Sequence, residues 1–383
     1  MSTCRKKNTD NLNNSTYSDT PENRQYKRFT FGTLSAMAVA FILTASLTIY
    51  RDPFFHYHAP LPAYHYPQKE YPVNNERYLN DGISRNFSYD GIITGTSMTE
   101  NIKASEADRL FDARFIKVPY AGAKYKEIND NLIRAFQADQ EIKYIIRVLD
   151  YNDLVVYKDA YDETFRYPYY LYNDNPFDDV RYVLNKSVLL NETMSVVKAP
   201  DGMGSAVNFD TYANWNSYYS AKFGARYVLA TYRLRKEDRP PRSLTQEERQ
   251  MLLDNLRQNV TLLADEHPET DFYLYFPPYS ICYWDILHNQ EETDWHLEAE
   301  QLAIEELLKH PNIRLYSFCD NFELVCNLDH YKDYLHYSEQ VNTWILENLK
   351  GEEYLLTEDN YLEYLEKIRD FYHSYDYDAL HSS

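Results

Sequence analysis

The chain has 383 residues, with 39 lysines and arginines against 59 aspartates and glutamates, and a formal charge of −20. That balance excludes a nucleic-acid partner, whose phosphates need a basic surface. Hydrophobic residues make up 44 % of the chain, which fits one large globular domain or two small ones and not a disordered polymer. Four cysteines are too few and too scattered for a disulfide scaffold or a zinc site. Cys319 and Cys326 are close enough to pair in an oxidising compartment, at a spacing that matches no metal motif. The 39 tyrosines suit ordinary packing and equally a surface that stacks on sugar rings.

Residues 1–28 are polar and lack apolar periodicity, so a disordered cytoplasmic tail is expected. From Phe29 to Tyr50 no charged residue occurs, and about 22 residues at ~1.5 Å each span a bilayer core. A cleaved signal peptide is the rival reading. The leader is long, the apolar run exceeds a usual signal core and no clean Ala-x-Ala site precedes Arg51, which favours an uncleaved anchor over 29–50. Arg5, Lys6, Lys7, Arg24, Lys27 and Arg28 precede the span and only Arg51 follows it closely. The positive-inside rule then predicts a single-pass protein of the cell membrane, N-terminus cytoplasmic and the remainder outside.

Residues 51–89 are dense in Pro, Tyr and His, including Asp52-Pro53-Phe54-Phe55-His56-Tyr57-His58 and Pro60, Pro62, Pro67 and Pro72. Such proline density predicts an extended linker. His56, His58 and His65 have no carboxylate or cysteine at a ligand spacing, so no metal site is expected. From Asp90 to about residue 350 strands and helices alternate. Strands are expected at the apolar run ending in Gly95, at Arg114–Val118, Lys143–Leu149, Phe272–Phe276 and Ile313–Phe318. Helices are expected at Ser97–Phe111, Lys126–Gln137, Asp294–Lys309 and Ser338–Leu349, with another opened by the capping box Thr245-Gln246-Glu247-Glu248 and running to Glu266. Residues 151–242, with Asp201-Gly202-Met203-Gly204 and a possible helix at Tyr227–Leu234, read as an insertion. Residues 351–383 read as an acidic C-terminal helix, over Thr357–Tyr377, and tail. The alternation predicts an α/β fold with a mostly parallel sheet and ligands at the carboxyl ends of its strands.

Two stretches carry chemistry. In Gly91-Ile92-Ile93-Thr94-Gly95-Thr96-Ser97 a serine follows a buried strand and opens a helix, where an alkoxide is favoured and where an ordinary N-cap serine also occurs. More than two hundred residues later, Asp333-Tyr334-Leu335-His336 places a carboxylate three residues before an imidazole. That spacing lets the carboxylate reach Nδ1 and leaves Nε2 for a serine proton. Asp329-His330 is an alternative pair.

With these two motifs the chain resembles the SGNH/GDSL hydrolase superfamily, especially its membrane-anchored, extracytoplasmic acyltransferase-like branch, which includes proteins of teichoic-acid D-alanylation and exopolysaccharide O-acetylation. The resemblance covers roughly residues 52 to 350. Gly95-Thr96-Ser97 stands where the superfamily has Gly-Asp-Ser, and Asp333-Tyr334-Leu335-His336 where it has Asp-x-x-His. Asp52–Tyr57, Phe209–Trp215 and Phe276–Ser280 look like signatures of a little-characterised bacterial group with the same core. The resemblance implies a three-layer α/β/α sandwich, a Ser97-His336-Asp333 triad and no metal or organic cofactor. It implies oxyanion-hole donors at Gly122 and Asn152, although Asp150-Tyr151-Asn152-Asp153 lacks the leading glycine of the matching block and Thr96 replaces an aspartate. The reaction implied is acylation or deacylation of a cell-surface polysaccharide or polyol polymer, with a multi-pass membrane partner delivering the acyl group. A catalytically inactive glycan-binding or scaffold protein on the same sandwich is the alternative.

Overall fold

The computed structural model describes residues 20–61, 76–138, 141–165, 167–198, 207–216, 220–231 and 240–381. His65, Pro62, Pro67, Pro72, Asp201–Gly204 and Arg5–Lys7 lie outside them. The chain opens with α1 (Pro21–Arg51), capped by the Thr20 hydroxyl, and this helix is long and apolar enough to cross a membrane. Phe31, Leu34, Phe41, Ile42 and Leu43 stand exposed along it, as expected of a surface suited to lipid. It begins eight residues before Phe29, so 21–28 are helical where disorder was expected. The cap and Pro21 in the first turn supply the start signal.

A second departure follows. The linker expected to be extended contains α2 (Glu76–Asn86). Its buried face is polar: Arg77 Nε pairs with Glu127 at 2.7 Å, and Asp81 takes Arg134 Nε at 2.9 Å. Charges satisfied by partners some fifty residues away leave no apolar stripe for a periodicity search to find.

The core is built from β1 (Gly91–Gly95), α3 (Ala104–Phe111), β2 (Phe115–Pro119), α4 (Tyr125–Gln137) and β3 (Tyr144–Val148). After residues 151–242 come α5 (Gln246–Leu256), β4 (Asp271–Phe276), α6 (Ile281–Asn289), α7 (Thr293–Leu307), β5 (Ile313–Ser317), α8 (Phe322–Cys326), α9 (Glu339–Asn348), β6 (Leu355–Leu356) and α10 (Tyr361–Ser374). The Thr245–Glu248 capping box forms as expected, and α5 continues through a π-helical stretch at Arg257–Thr261 to Glu266. The six strands lie in the order β2-β1-β3-β4-β5-β6, parallel except for β6. The α/β class and mostly parallel sheet expected from the alternation are therefore present. Strands buried on both faces read as the continuous apolar runs seen in Ile92-Ile93 and Ile145-Ile146.

Three local expectations change. Ser97–Phe111 is not one helix: a 3₁₀ turn at Ser97–Thr99 is followed by a break before α3. The carbonyls of Glu100 and Ile102, which a continuous helix would use internally, accept instead from Lys117 Nζ at 2.6 and 2.9 Å. Burial pushes that ammonium down to about 7. The helix expected at Tyr227–Leu234 is found at Ala225–Thr231, with 232–239 outside the described residues. Helices α6 and α8 had no sequence signal; Ile281-Cys282-Tyr283-Trp284 is buried on nearly every side, which erases the amphipathic period.

Candidate active site

Strand order reverses direction around β1 and β3, the kind of switch point whose diverging loops leave a crevice at the carboxyl ends of parallel strands. Ser97 leaves β1 there and Asp150 leaves β3. Gly95 has φ +144°, and a Cβ on it would come within 2.5 Å of the Val148 side chain. Only glycine lets the chain turn so close to β3. Thr99 Oγ1 donates to the Thr96 carbonyl at 2.9 Å and closes the turn that presents Ser97.

The partner comes from the β5–α9 connection. Tyr331 and Tyr337 form an antiparallel bridge, Lys332 N donates to the His336 carbonyl at 3.0 Å, and the enclosed loop carries Asp333 and His336. This hairpin is pinned from below by the Phe276–Ser280 segment. Tyr331 donates its hydroxyl to the Pro278 carbonyl at 2.8 Å, and Ser280 Oγ donates to the Tyr334 carbonyl at 2.8 Å.

Ser97 Oγ lies 2.8 Å from His336 Nε2, and His336 Nδ1 lies 2.9 and 3.0 Å from the two Asp333 oxygens. A carboxylate only accepts, so the proton sits on Nδ1 and Nε2 is free to accept from the serine. Asp333 also accepts the N–H groups of Leu335 and His336 at 2.9 and 2.8 Å. Burial pushes the Asp333 carboxyl up, but the imidazole and these amides outweigh it and hold it below the usual carboxylate range. The His336 and Asp333 side chains keep 21 % exposure each, so the group is reachable from solvent.

Sequence reasoning attached no chemistry to Trp215. Its Nε1 donates to the Ser97 carbonyl at 3.2 Å, its ring meets His336 edge-on at 5.6 Å, and Lys332 Nζ sits 3.8 Å above its face. The Phe209–Trp215 stretch is clamped by Asp210, which takes the Ser105 amide and hydroxyl at 2.9 and 2.7 Å, and by Tyr212, which donates to Asn80 at 2.8 Å. Burial lowers the Lys332 ammonium from its ordinary range. Asp150 was likewise missed. It accepts Thr96 Oγ1 at 3.1 Å, and both the backbone N–H and the side-chain amide of Asn152 at 3.1 Å. Asn152 is thus tied to the residue next to Ser97 through one carboxylate. Gly122, in the turn after β2, is exposed with φ +62° and stands beside Phe165 and Asp162.

The alternative pair does not meet Ser97: Asp329 lies against Gly224 and His330 lines a separate cavity. Cys319 and Cys326 are free thiols. Cys319 turns into the core, 2.9 Å from the Tyr151 hydroxyl and 3.4 Å from the Pro277 carbonyl, so it forms no bridge to Cys326. His56 bonds Asp179 at 3.2 Å, and among the described residues no three His, Cys, Asp or Glu side chains cluster as metal ligands.

No protein-family model matches the chain, and no curated protein matches it. Among solved structures, the chain is similar to a candidate platelet activating factor from Streptococcus pneumoniae, at 11 % identity over 76 % of this chain and 91 % of that one, with a TM-score of 0.36.

Proposed function

We propose that this protein is an extracytoplasmic serine-dependent acyl-transfer enzyme, in which His336 takes the Ser97 proton and Asp333 holds the imidazole tautomer. The observation that carries the reading is the pair of contacts Ser97 Oγ–His336 Nε2 at 2.8 Å and His336 Nδ1–Asp333 at 2.9 Å. Ser97 Oγ would bond to the carbonyl carbon of an ester or thioester. The expelled alcohol or thiol leaves with the proton returned by His336. A hydroxyl of a cell-surface polysaccharide or polyol polymer, or water, would then attack the acyl-enzyme, with His336 accepting its proton and passing it to Ser97 Oγ as the acyl–Oγ bond breaks.

The Ser97 N–H, Gly122 N–H and Asn152 amide are the donors we assign to the oxyanion. The Asp150 bonds to Thr96 and Asn152 support the last assignment, because one carboxylate ties that amide to the residue preceding the serine. A hole short of one donor would cost about 10²–10³ in rate.

The same reading takes the fold to be the three-layer α/β/α sandwich of the SGNH/GDSL superfamily. Support comes from two contact groups of helices: α3 with α9, and α2 with α4, the π-helical stretch, α5, α7 and α10. Right-handed crossovers from a sheet whose order reverses at β1 would put these groups on opposite faces. We take 29–50 as the membrane anchor, 90–350 as the catalytic domain and 151–242 as its insertion, with the site outside the membrane. Acyl donors of the cytoplasm do not reach that side, so a multi-pass membrane partner would supply the acyl group.

The test is labelling of the full-length protein with a fluorophosphonate. Labelling lost in both Ser97→Ala and His336→Ala is the expected result. A folded protein that never labels sinks the enzyme reading and leaves a glycan-binding or scaffold protein.

A further inference from the structure

The hairpin that carries His336 has a second face. At its base, Ser338 N donates to the His330 carbonyl at 2.8 Å, and His330 opens into a cavity of about 290 Å³ between α8 and α9. At about 30 Å³ per water this is roughly ten waters of space, close to the lower end of small-molecule sites. Its floor is apolar, from Leu324, Val341 and the half-buried Trp344. Its rim is polar, and only Asn321 is fully committed there, to the Leu324 amide and the Tyr354 hydroxyl, both at 3.1 Å. The side chains of Glu323, His330 and Gln340 form no hydrogen bond to another described residue, and Asn327 uses only its oxygen, on the Asp329 amide at 3.2 Å. Among the described residues no lysine or arginine lines the cavity.

An aromatic floor beside amide, imidazole and carboxylate groups suits a ligand with one apolar face and hydroxyls around its edge. The absence of a lining cation and the presence of Glu323, on a chain of charge −20, argue against an anionic ligand. We infer that this cavity is a binding subsite for a neutral saccharide ring. One ring would rest on Trp344 while amide and carboxylate side chains take its hydroxyls. The inference rests on the acyl-transfer reading in that the ring belongs to the acceptor polymer. His330 stands three positions before Asp333, so the cavity and the loop that carries Asp333 and His336 share one segment of chain.

The test measures binding of chitotriose and maltotriose to the full-length protein in detergent micelles, by calorimetry and by tryptophan fluorescence, in a Ser97→Ala background that cannot turn over. Saturable binding of either trisaccharide, weakened about tenfold or more by Trp344→Ala, is expected. Trp344 also packs on Phe318 and Tyr354, so its truncation can unfold the protein. The exposed Gln340→Ala and Glu323→Ala variants read the same site without that risk, and each should weaken binding several-fold. Binding of neither sugar at millimolar concentration, or binding indifferent to these variants, overturns the inference. A protein that labels with fluorophosphonate but binds neither sugar loses the subsite and keeps the enzyme reading. One that binds but never labels keeps the subsite and loses the chemistry.

Discussion

Ser97 and His336 reach the same contact by opposite means. The Ser97 turn hangs from a strand buried along its whole length and is closed by Gly95, Thr96 and Thr99. It is held from outside by Lys117 through the carbonyls of Glu100 and Ile102. The His336 hairpin has no strand beneath it. It is fixed by the Tyr331–Tyr337 bridge, by Asp333 folding back on its own loop, and by hydrogen bonds from Tyr331 and Ser280 to carbonyl groups. The serine is thus set by the sheet and the imidazole by a few hydrogen bonds. Substitutions around the hairpin should therefore damage chemistry with little loss of stability, whereas substitutions of Gly95, Thr96 or Thr99, which close the Ser97 turn, should damage both.

The largest expected effect breaks the contact itself. Ser97→Ala and His336→Ala should each lower ester turnover by about 10⁴–10⁶ without shifting the melting temperature by more than a few degrees. Asp333→Asn should cost about 10³–10⁴ in kcat, because the amide can present an N–H to Nδ1 and favour the wrong tautomer. The same variant sharpens the comparison in acid. The Asp333 carboxyl is depressed in the folded state, so its contribution to stability is present above the unfolded value near pH 4 and is lost as pH falls through the folded value. The gap in melting temperature between wild type and Asp333→Asn should therefore close towards low pH; a gap that stays constant would show that the carboxylate charge adds nothing to the fold.

Trp215→Phe keeps the ring beside His336 and removes the N–H bond to the Ser97 carbonyl. About a tenfold loss in kcat is expected, with KM little changed. The smallest effect should come from Ser280→Ala, which removes one hairpin anchor. A loss of about threefold in kcat is expected, from a bond worth on the order of 1 kcal/mol that is only partly felt at the imidazole. A Ser280→Ala variant as impaired as Asp333→Asn would show that the hairpin is far less self-supporting than its bridge and carboxylate indicate.

Two departures from sequence expectation, α2 and the break after Ser97, share one cause. Strands, the apolar span and the Thr245 capping box are encoded by neighbours within a few residues, so composition and period reveal them. Helix α2 escaped because its buried face is charged and is completed by Glu127 and Arg134 on α4. The break after Ser97 escaped because the residue that takes the freed carbonyls, Lys117, lies on the next strand. A hydrophobic period carries no record of either.

Local patterning thus determined the membrane-length helix, the parallel α/β core and the two short motifs that bear a serine and an Asp-x-x-His. Tertiary structure alone brought the His336 imidazole to Ser97 and kept His330 away from it, through the hairpin's register. It also decided that Trp215 lies between the two loops, that Asp150 joins Thr96 to Asn152, and that Cys319 faces Tyr151 rather than Cys326. Each of those outcomes depends on polar groups more than fifty residues apart, or on which way a loop turns. Such partners are selected by hydrogen-bond geometry in the packed state, and no local propensity anticipates them.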